Sequence, residues 1–322
     1  NYADPGRLSV GEPLWTADER VFAHDCRGQR VSGDYDVGAG KSIRQYLTDP
    51  HSPQLRSLVQ NHVKTYSVGT RIDAYFFDDI GTVYGMANRP CGYDESWNDA
   101  WAGVMASVSR PVVFNGLRQA TLHLVSVPNV IGAMTEDCYD TKSQPTPPYT
   151  SGAEWVSHAN LQLEMARAHK LFFCLNNATL QAAGAAKVRT YVYASFMLSF
   201  DLSTSALWEM FATPSGLHVL PESQLVPLHP VRASPADISE LRDVDGNYER
   251  KYAHCWLARR DLGPCIAVVN PDPAHVHRVS HHGYRRTLRL SGAGVMDGGV
   301  AVPDGPAPPS TLEPMTAFIG FD

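Results

Sequence analysis

The chain has 322 residues, 43% of them hydrophobic, and is therefore long enough to bury the core of one large domain or of one domain with a small appendage. Its net charge is −6, from 27 basic and 33 acidic residues without a long run of either sign, which argues against a nucleic-acid partner. No stretch approaches the roughly 18 apolar residues of a transmembrane helix, so we expect no membrane span.

The first residue is not Met, and no basic or apolar leader follows it; we interpret the chain as processed or truncated, which leaves export open. The six cysteines lack C-x-x-C spacing, which argues against a zinc or iron–sulfur site. Their even number permits disulfides without requiring them. Cys91 with Cys138 and Cys255 with Cys265 are the candidate pairs, whereas Cys174 lies in an apolar run and reads as a buried thiol.

The predicted elements begin with a strand over residues 19–25. Apolar side chains at helical spacing then predict a helix over 55–66, followed by a strand over 72–77. Asp94 is placed to cap a helix over 97–108. The pattern repeats downstream, with strands over 111–115, 130–134 and 171–175 and helices over 119–126 and 154–169. Strands that alternate with helices predict βα units with parallel strands.

The second half of the chain has a different residue pattern. A helix is predicted over 188–198 and continued over 203–211, and the proline-rich stretch 213–245 reads as a long loop. From residue 248 onward, short β-like runs alternate with Gly, Pro and Asp turns.

We therefore expect an α/β protein: a (β/α)8 TIM-type barrel catalytic domain over residues 1–247, followed over 248–322 by the last barrel strand and a small C-terminal antiparallel β domain. A full barrel takes roughly 250 residues, and two opening strands are not evident here. The barrel is accordingly expected to be irregular at its N-terminus or to have its opening strands upstream of Asn1.

Polar side chains follow the predicted strands almost directly, where a parallel barrel has its active site. They are Asp78, Asp79, Asn115, Glu136, Asn176 and Asn177. Two carboxylates across a sugar, one ionised and one protonated, are the minimum for glycoside hydrolysis. Asp78, Asp79 and Glu136 are the carboxylates so placed.

The other polar residues are predicted to contact substrate. Asp25 ends the first predicted strand, and Tyr139 lies three residues beyond Glu136 with a ring that would stack on a sugar. Each residue also has a purely structural interpretation. Asp79 is placed to cap a helix or close a turn, and Asn115 before a glycine is typical of turns.

The order of these residues resembles a family of enzymes. The spacing Asp73-x-x-x-x-Asp78, then Asn115-Gly, then Glu136 resembles the barrel glycosidases of the spherulin-type and endo-α-1,4-galactosaminidase families and related hypothetical glycosyl hydrolases. The resemblance covers roughly residues 19 to 320 and implies that Asp78 and Glu136 match the catalytic Asp and Glu of the fourth and sixth barrel strands. The first two strands have no clear counterpart here, and Ala74 stands where the family often has Gly.

The sequence therefore predicts a secreted or envelope-associated glycoside hydrolase that acts on a polysaccharide or oligosaccharide without a metal or other cofactor. Asp78 is the nucleophile or base and Glu136 the general acid/base, and the resemblance favours retention of anomeric configuration. Two alternatives remain open: a non-catalytic carbohydrate-binding protein on a degenerate barrel, and a metal-dependent hydrolase that uses Asp25, Asp78 and Asp79.

Overall fold

The computed structural model describes residues 2–3, 5–9, 18–38, 40–69, 71–81, 83, 86–136, 138–139, 150–176, 185–209, 212–213, 216–217, 220–280, 283–291 and 299–322. The chain divides into two compact units, Asn1–Thr135 and Glu136–Asp322. The predicted division after residue 247 into a barrel and a β domain stays a prediction. Among the described residues, no helix is both long enough and apolar enough to span a membrane.

The first unit contains a row of parallel strands and a small antiparallel sheet. Its strands are β1 (Tyr2–Ala3), β2 (Arg7–Ser9), β3 (Ser32–Gly38), β4 (Lys41–Leu47), β5 (Tyr75–Phe77), β6 (Val112–Asn115) and β7 (Val130–Glu136), the last ending one residue beyond the division. Strands β1, β5, β6 and β7 pair in this order and are parallel. Strands β2, β4 and β3 form the antiparallel sheet.

Two α-helices accompany these strands, α1 (Pro53–Ser67) and α2 (Ser96–Ala106). Helix α1 begins where Ser52 accepts a hydrogen bond from the Leu55 N–H at 3.3 Å, with Pro53 in the first turn, and it buries Leu55, Val59 and Val63 along one stripe. The N-cap of α2 is Glu95, one residue after the predicted Asp94, and the Asp94 carboxylate accepts a hydrogen bond at 2.9 Å from the N–H of Ser96, the first helical residue.

The second unit begins with α3 (Gly152–Arg167), β8 (Leu171–Asn176), α4 (Ala185–Leu198) and β9 (Ser205–Glu209). Strands β8 and β9 are parallel. Short strands β10 (Ala212–Thr213) and β11 (Gly216–Leu217) then form an antiparallel pair.

The rest of the second unit is antiparallel. Its strands are β12 (Leu225–Pro230), β13 (Tyr248–Leu257), β14 (Arg260–Asp261), β15 (Cys265–Asn270), β16 (His277–Arg278), β17 (Arg286–Leu290), β18 (Ala301–Gly305), β19 (Thr311–Leu312) and β20 (Thr316–Phe321). The main sheet has the order β12–β13–β15–β20–β17–β18, with β14 beside β13, and β16 pairs with β19. Helix α4 packs against β15 and β20. The short β runs predicted from residue 248 onward are thus confirmed as antiparallel strands.

Three predictions of local structure are wrong. Residues 19–25 form a 3-10 turn at Glu19–Val21 and isolated bridges instead of a strand. The stretch predicted as a helix over 203–211 contains β9, and the predicted loop 213–245 contains β12 and two 3-10 helices. The mixed α/β class is confirmed. The described residues show four parallel strands in the first unit and two in the second, so the eight-stranded barrel stays a prediction.

All six cysteines are paired, as Cys26–Cys91, Cys138–Cys174 and Cys255–Cys265. Each bridge lies within one unit. The pairing of Cys255 with Cys265 agrees with the sequence, because the chain turns back between β13 and β15. The pairing of Cys91 with Cys138 and the free thiol at Cys174 were wrong, because β8 places Cys174 within 5.4 Å, Cα to Cα, of Cys138.

Candidate functional site

The candidate site in the first unit is a group of polar side chains at the carboxyl ends of β5 and β6. Phe77 and Phe114 are register partners, so the next residues, Asp78 and Asn115, leave the two strands side by side. Asn115 Nδ2 donates a hydrogen bond to Asp78 Oδ1 at 2.7 Å. We call Asp78, Asp79 and Asn115 the strand-end cluster.

The Asp78 carboxylate is held from two directions. Besides Asn115, the Asp79 N–H donates to the same oxygen, Oδ1, at 2.9 Å. Asn115 is buried, with 6% of its surface exposed, whereas Asp78 is partly exposed. A carboxylate fixed by two donors and still reached by solvent is suited to a positioned nucleophile or base.

Asp79 has a different environment. Its backbone lies in the left-handed region, with φ of 56°, and its Oδ2 is 3.5 Å from Arg7 Nε. The two side chains are 25% and 11% exposed, so the pair is largely withdrawn from solvent. Arg7 was missed by the sequence reasoning, because a single arginine in a segment without periodicity carries no signal for a distant partner.

Glu136, the other predicted catalytic residue, is the last residue of β7, and its side chain is exposed. Four buried residues precede it, so the predicted transition from an apolar strand to an accessible carboxylate is observed. The assignment of Glu136 as general acid/base stays a prediction.

Asp25 lies in a tight turn of the first unit. Its Oδ1 accepts from the N–H groups of Arg27 and Gln29, and its Oδ2 accepts from Asn88 Nδ2 at 2.9 Å. The Asn88 hydrogen bond is the largest cause that lowers the pKa of Asp25 below its usual range. Asp25 therefore closes a turn, whereas the sequence predicted that it would end a strand.

Tyr139 is fully buried within the second unit, which differs from the expected exposed stacking surface. Its hydroxyl donates to Gln162 Oε1 at 3.1 Å, and its ring packs near Trp155 at 6.2 Å between centroids. Burial raises the pKa of the Tyr139 phenol. A ring without exposed surface packs the core and offers no face to a sugar.

The remaining predicted contacts are less defined. Asn176 ends β8, where its backbone is the register partner of Glu209. Asn177 lies outside the described residues. Their assignment to substrate binding stays a prediction.

Within the described ranges, no three His, Cys, Asp or Glu side chains are grouped as metal ligands. The alternative that uses Asp25, Asp78 and Asp79 therefore has no ligand cluster to support it. An open depression of about 440 Å³ also occurs in the first unit, but it contains none of the strand-end cluster. Its lining includes Glu19, Phe22, His24, Asp49, His51 and Gln54.

No protein-family model matches this sequence, and no curated protein matches it. The fold is similar to a cycloisomaltooligosaccharide glucanotransferase of Paenibacillus sp., with a TM-score of 0.39, 11% identity and coverage of 99% of this chain and 42% of that one. Ega3 of Aspergillus fumigatus, in complex with galactosamine, has a TM-score of 0.35 and 12% identity over 57% of this chain and 67% of its own.

A noncanonic maltogenic α-amylase, AmyB of Thermotoga neapolitana, has a TM-score of 0.40 and 9% identity over 99% of this chain and 76% of that one. This chain aligns with 42% of the glucanotransferase and so spans less than half the length of that protein. Similarities of this size do not assign the chain to a family.

Proposed function

We propose that this protein is a glycoside hydrolase that cleaves a polysaccharide or oligosaccharide by a two-carboxylate mechanism. The observation that carries the proposal is the hydrogen-bonded pair of Asp78 and Asn115 at the carboxyl ends of two adjacent parallel strands, followed along the chain by the exposed carboxyl of Glu136 at the end of the third. Glycoside hydrolysis uses a pair of carboxyl groups, and barrel enzymes place their catalytic residues at the carboxyl ends of strands.

The two carboxyl groups have different tasks. Asp78, fixed by two N–H donors, attacks the anomeric carbon as an ionised nucleophile or activates water as a base. Glu136 donates a proton to the departing oxygen and, in a retaining enzyme, then removes one from the incoming water. Asn115 positions the carboxylate of Asp78, and Asp79 contributes to substrate binding.

The localisation that we propose is the cell exterior or envelope. Three disulfides distributed over both units support it, because such bonds form and persist in oxidising compartments.

The central test replaces Glu136 with Gln and Asp78 with Asn and measures new reducing ends from a panel of bacterial and fungal exopolysaccharides and cell-wall glycans. We expect each substitution to lower the turnover rate by roughly a hundredfold to ten-thousandfold, because each removes a proton-transfer or nucleophilic group. The protein should stay folded and retain oligosaccharide binding.

Two matched controls use carboxylates outside the proposed pair. Asp73→Asn changes an exposed residue just before β5, and Glu154→Gln changes an exposed residue of α3. Both should keep wild-type turnover. Wild-type turnover in Glu136→Gln would contradict the assignment, and binding without turnover in the wild-type protein would favour the carbohydrate-binding alternative.

The stereochemistry distinguishes the two forms of the mechanism. A retaining enzyme places its carboxyl groups about 5–5.5 Å apart and an inverting enzyme about 6.5–9.5 Å apart. We propose retention, which proton NMR of the first product anomer would establish. If the first product has inverted configuration, Asp78 acts as the base that activates water and not as the nucleophile.

A further inference from the structure

A cation lies close to the strand-end cluster without an anionic partner. Arg118 follows Asn115, the last residue of β6, by three residues, so the two Cα atoms are at most about 11 Å apart. The Arg118 side chain is partly buried. In the parts of the chain that the structure describes, no carboxylate forms an ion pair with its guanidinium and no acceptor takes a hydrogen bond from it.

The turn after β6 and the loop after β5 determine where Arg118 lies. Thr121 Oγ1 accepts the Arg118 N–H at 3.0 Å and donates to the Gly116 carbonyl at 2.7 Å, which fixes the backbone of the turn. The guanidinium reaches the loop that follows Asp78, because a Cβ added to Gly81 would lie 3.7 Å from Arg118 Nη2. Arg118 therefore lies next to the segment that carries the proposed nucleophile or base.

The guanidinium has lost part of its solvent but is still accessible to a ligand. Burial lowers the pKa of Arg118, an effect that the Tyr93 phenol opposes. None of its nitrogens is enclosed by the protein, so each can form a new hydrogen bond. A cation that loses solvent without gaining an anion is unfavourable, and Arg7 at the same strand ends is paired with Asp79. We therefore expect the partner of Arg118 to come from outside the chain.

The donors around this position fit a carboxylate. The planar guanidinium presents two parallel N–H groups, which match the two oxygens of a carboxylate. The hydroxyl of Tyr93 is a further donor, and its half-buried ring packs on Trp97 at 5.8 Å between centroids. A tetrahedral sulfate would leave more of its oxygens without a donor. Asp79 would repel an anion, but its ion pair with Arg7 offsets this charge.

We propose that Arg118 binds the carboxylate of a uronic acid residue, so that the substrate is an acidic polysaccharide. The site rests on the proposed hydrolysis, since Arg118 would hold a sugar residue close to the one on which Asp78 acts.

The test compares matched anionic and neutral ligands by isothermal titration calorimetry. The ligands are hexamers of galacturonic acid, of mannuronic acid and of hyaluronan, each beside its carboxyl-reduced form, which has the same length and linkages without the charge. We expect the wild-type protein to bind at least one uronate hexamer at least about tenfold more tightly than its reduced form, because only the uronate forms charge-assisted hydrogen bonds. High salt should reduce this preference.

Substitutions of Arg118 should remove the preference for the charged ligand. In Arg118→Met, the affinity for the uronate should fall about tenfold to a hundredfold and the affinity for the reduced form should stay within about twofold. Arg118→Lys keeps the charge without the planar fork and should keep part of the preference. Arg110→Met is the matched control, because Arg110 is an exposed arginine just before the opposite end of β6. It should bind both forms as the wild-type protein does.

The proposal is overturned if no uronate hexamer binds more tightly than its reduced form, if Arg118→Met weakens both forms equally, or if a sulfated galactan hexamer binds more tightly than every uronate. The first comparison uses the wild-type protein and so does not depend on the folding of Arg118→Met. Turnover is measured separately, as new reducing ends from the same polymers. Arg118-dependent uronate binding without turnover would contradict hydrolysis and keep the carboxylate site, whereas cleavage of neutral polymers in preference to uronates would keep hydrolysis and overturn the site.

Discussion

A single hydrogen bond and burial together determine the protonation of His158 in the second unit. Its Nδ1 accepts the N–H of Tyr139 at 3.2 Å, a function that only an unprotonated nitrogen performs. Burial lowers the pKa of His158 to about 4. The residue lies within α3 without a sequence signal that separates it from an ordinary helical histidine, so the sequence reasoning did not single it out.

This depressed pKa predicts a pH dependence of stability. In the unfolded chain a histidine has a pKa of about 6.5, so between about pH 6.5 and 4 the unfolded state binds more protons than the folded one. The free energy of unfolding should therefore fall as the pH falls through this window, with a contribution from His158 on the order of 2 kcal/mol. Urea denaturation at pH 7, 5.5 and 4 measures it.

His158→Asn tests the assignment, because an amide oxygen can accept from Tyr139 without titrating. The variant should lose less stability than the wild-type protein between pH 7 and 4. His169→Asn, at an exposed position just after α3, should retain the wild-type dependence. Equal pH dependence in all three proteins would mean that His158 is not the group responsible.

At the scale of elements, the sequence predicts best where periodicity or burial is unambiguous. Helix α1 has a regular apolar stripe, and β6 and β7 are short apolar runs bounded by polar residues, so each lies within two residues of its prediction. Strand β9 was missed because Ala206, Leu207 and Trp208 follow a helix without a clear break, and only their pairing with β8 defines a strand.

The end of β6 depends on one glycine. Gly116 has φ of 111°, and a Cβ there would lie 2.2 Å from the Ile80 carbonyl oxygen. The Ile80 N–H donates to the Asn115 carbonyl at 3.0 Å, and this hydrogen bond holds the two chain segments together. The side-chain amide of the same Asn115 contacts Asp78. The Asn-Gly sequence indicated a turn, and the structure adds close backbone contact as the reason for the glycine.

Gly116→Ala should therefore lower the free energy of unfolding by more than the backbone cost alone, roughly 2–4 kcal/mol in total. Gly92→Ala is the control, because Gly92 also has a positive φ, 71°, but nothing lies within 4 Å of its added Cβ. It should lose only about 1 kcal/mol, the cost of a left-handed backbone for a residue with a Cβ. Urea midpoints of the two variants give the comparison, and equal losses would show that the contact with Ile80 does not matter.

At the scale of the whole molecule, the local pattern located the strand-end cluster but not its surroundings. The carboxylates at strand ends follow from short apolar runs, whereas the Arg7–Asp79 pair joins residues far apart in sequence, and no periodicity predicts such a contact. Two of the disulfides also join cysteines far apart in sequence, so local patterns do not predict their pairing. Composition permitted them, but only the fold determines that Cys26 meets Cys91 and Cys138 meets Cys174.

The division into two units predicts that loss of the Cys26–Cys91 bridge acts mainly on the first. This bridge spans 65 residues, and both cysteines are exposed, so replacing both with Ala removes the cross-link with little loss of packing. Loop-closure entropy gives an expected loss of about 4 kcal/mol of unfolding free energy. Because the Cys91 N–H also donates to the His24 carbonyl at 2.8 Å, the segments that the bridge ties are those around residues 18–47 and 86–106.

Hydrogen exchange with mass spectrometry should locate this effect. In the double Cys→Ala variant, peptides from residues 18–47 and 86–106 should lose protection, whereas peptides from α3, β13 and β15 should stay within error of the wild-type protein. The bridge lies within the first unit, which has its own buried residues, so we expect the loss of protection to be largest there. Equal loss of protection in both units would show that they open as one cooperative body.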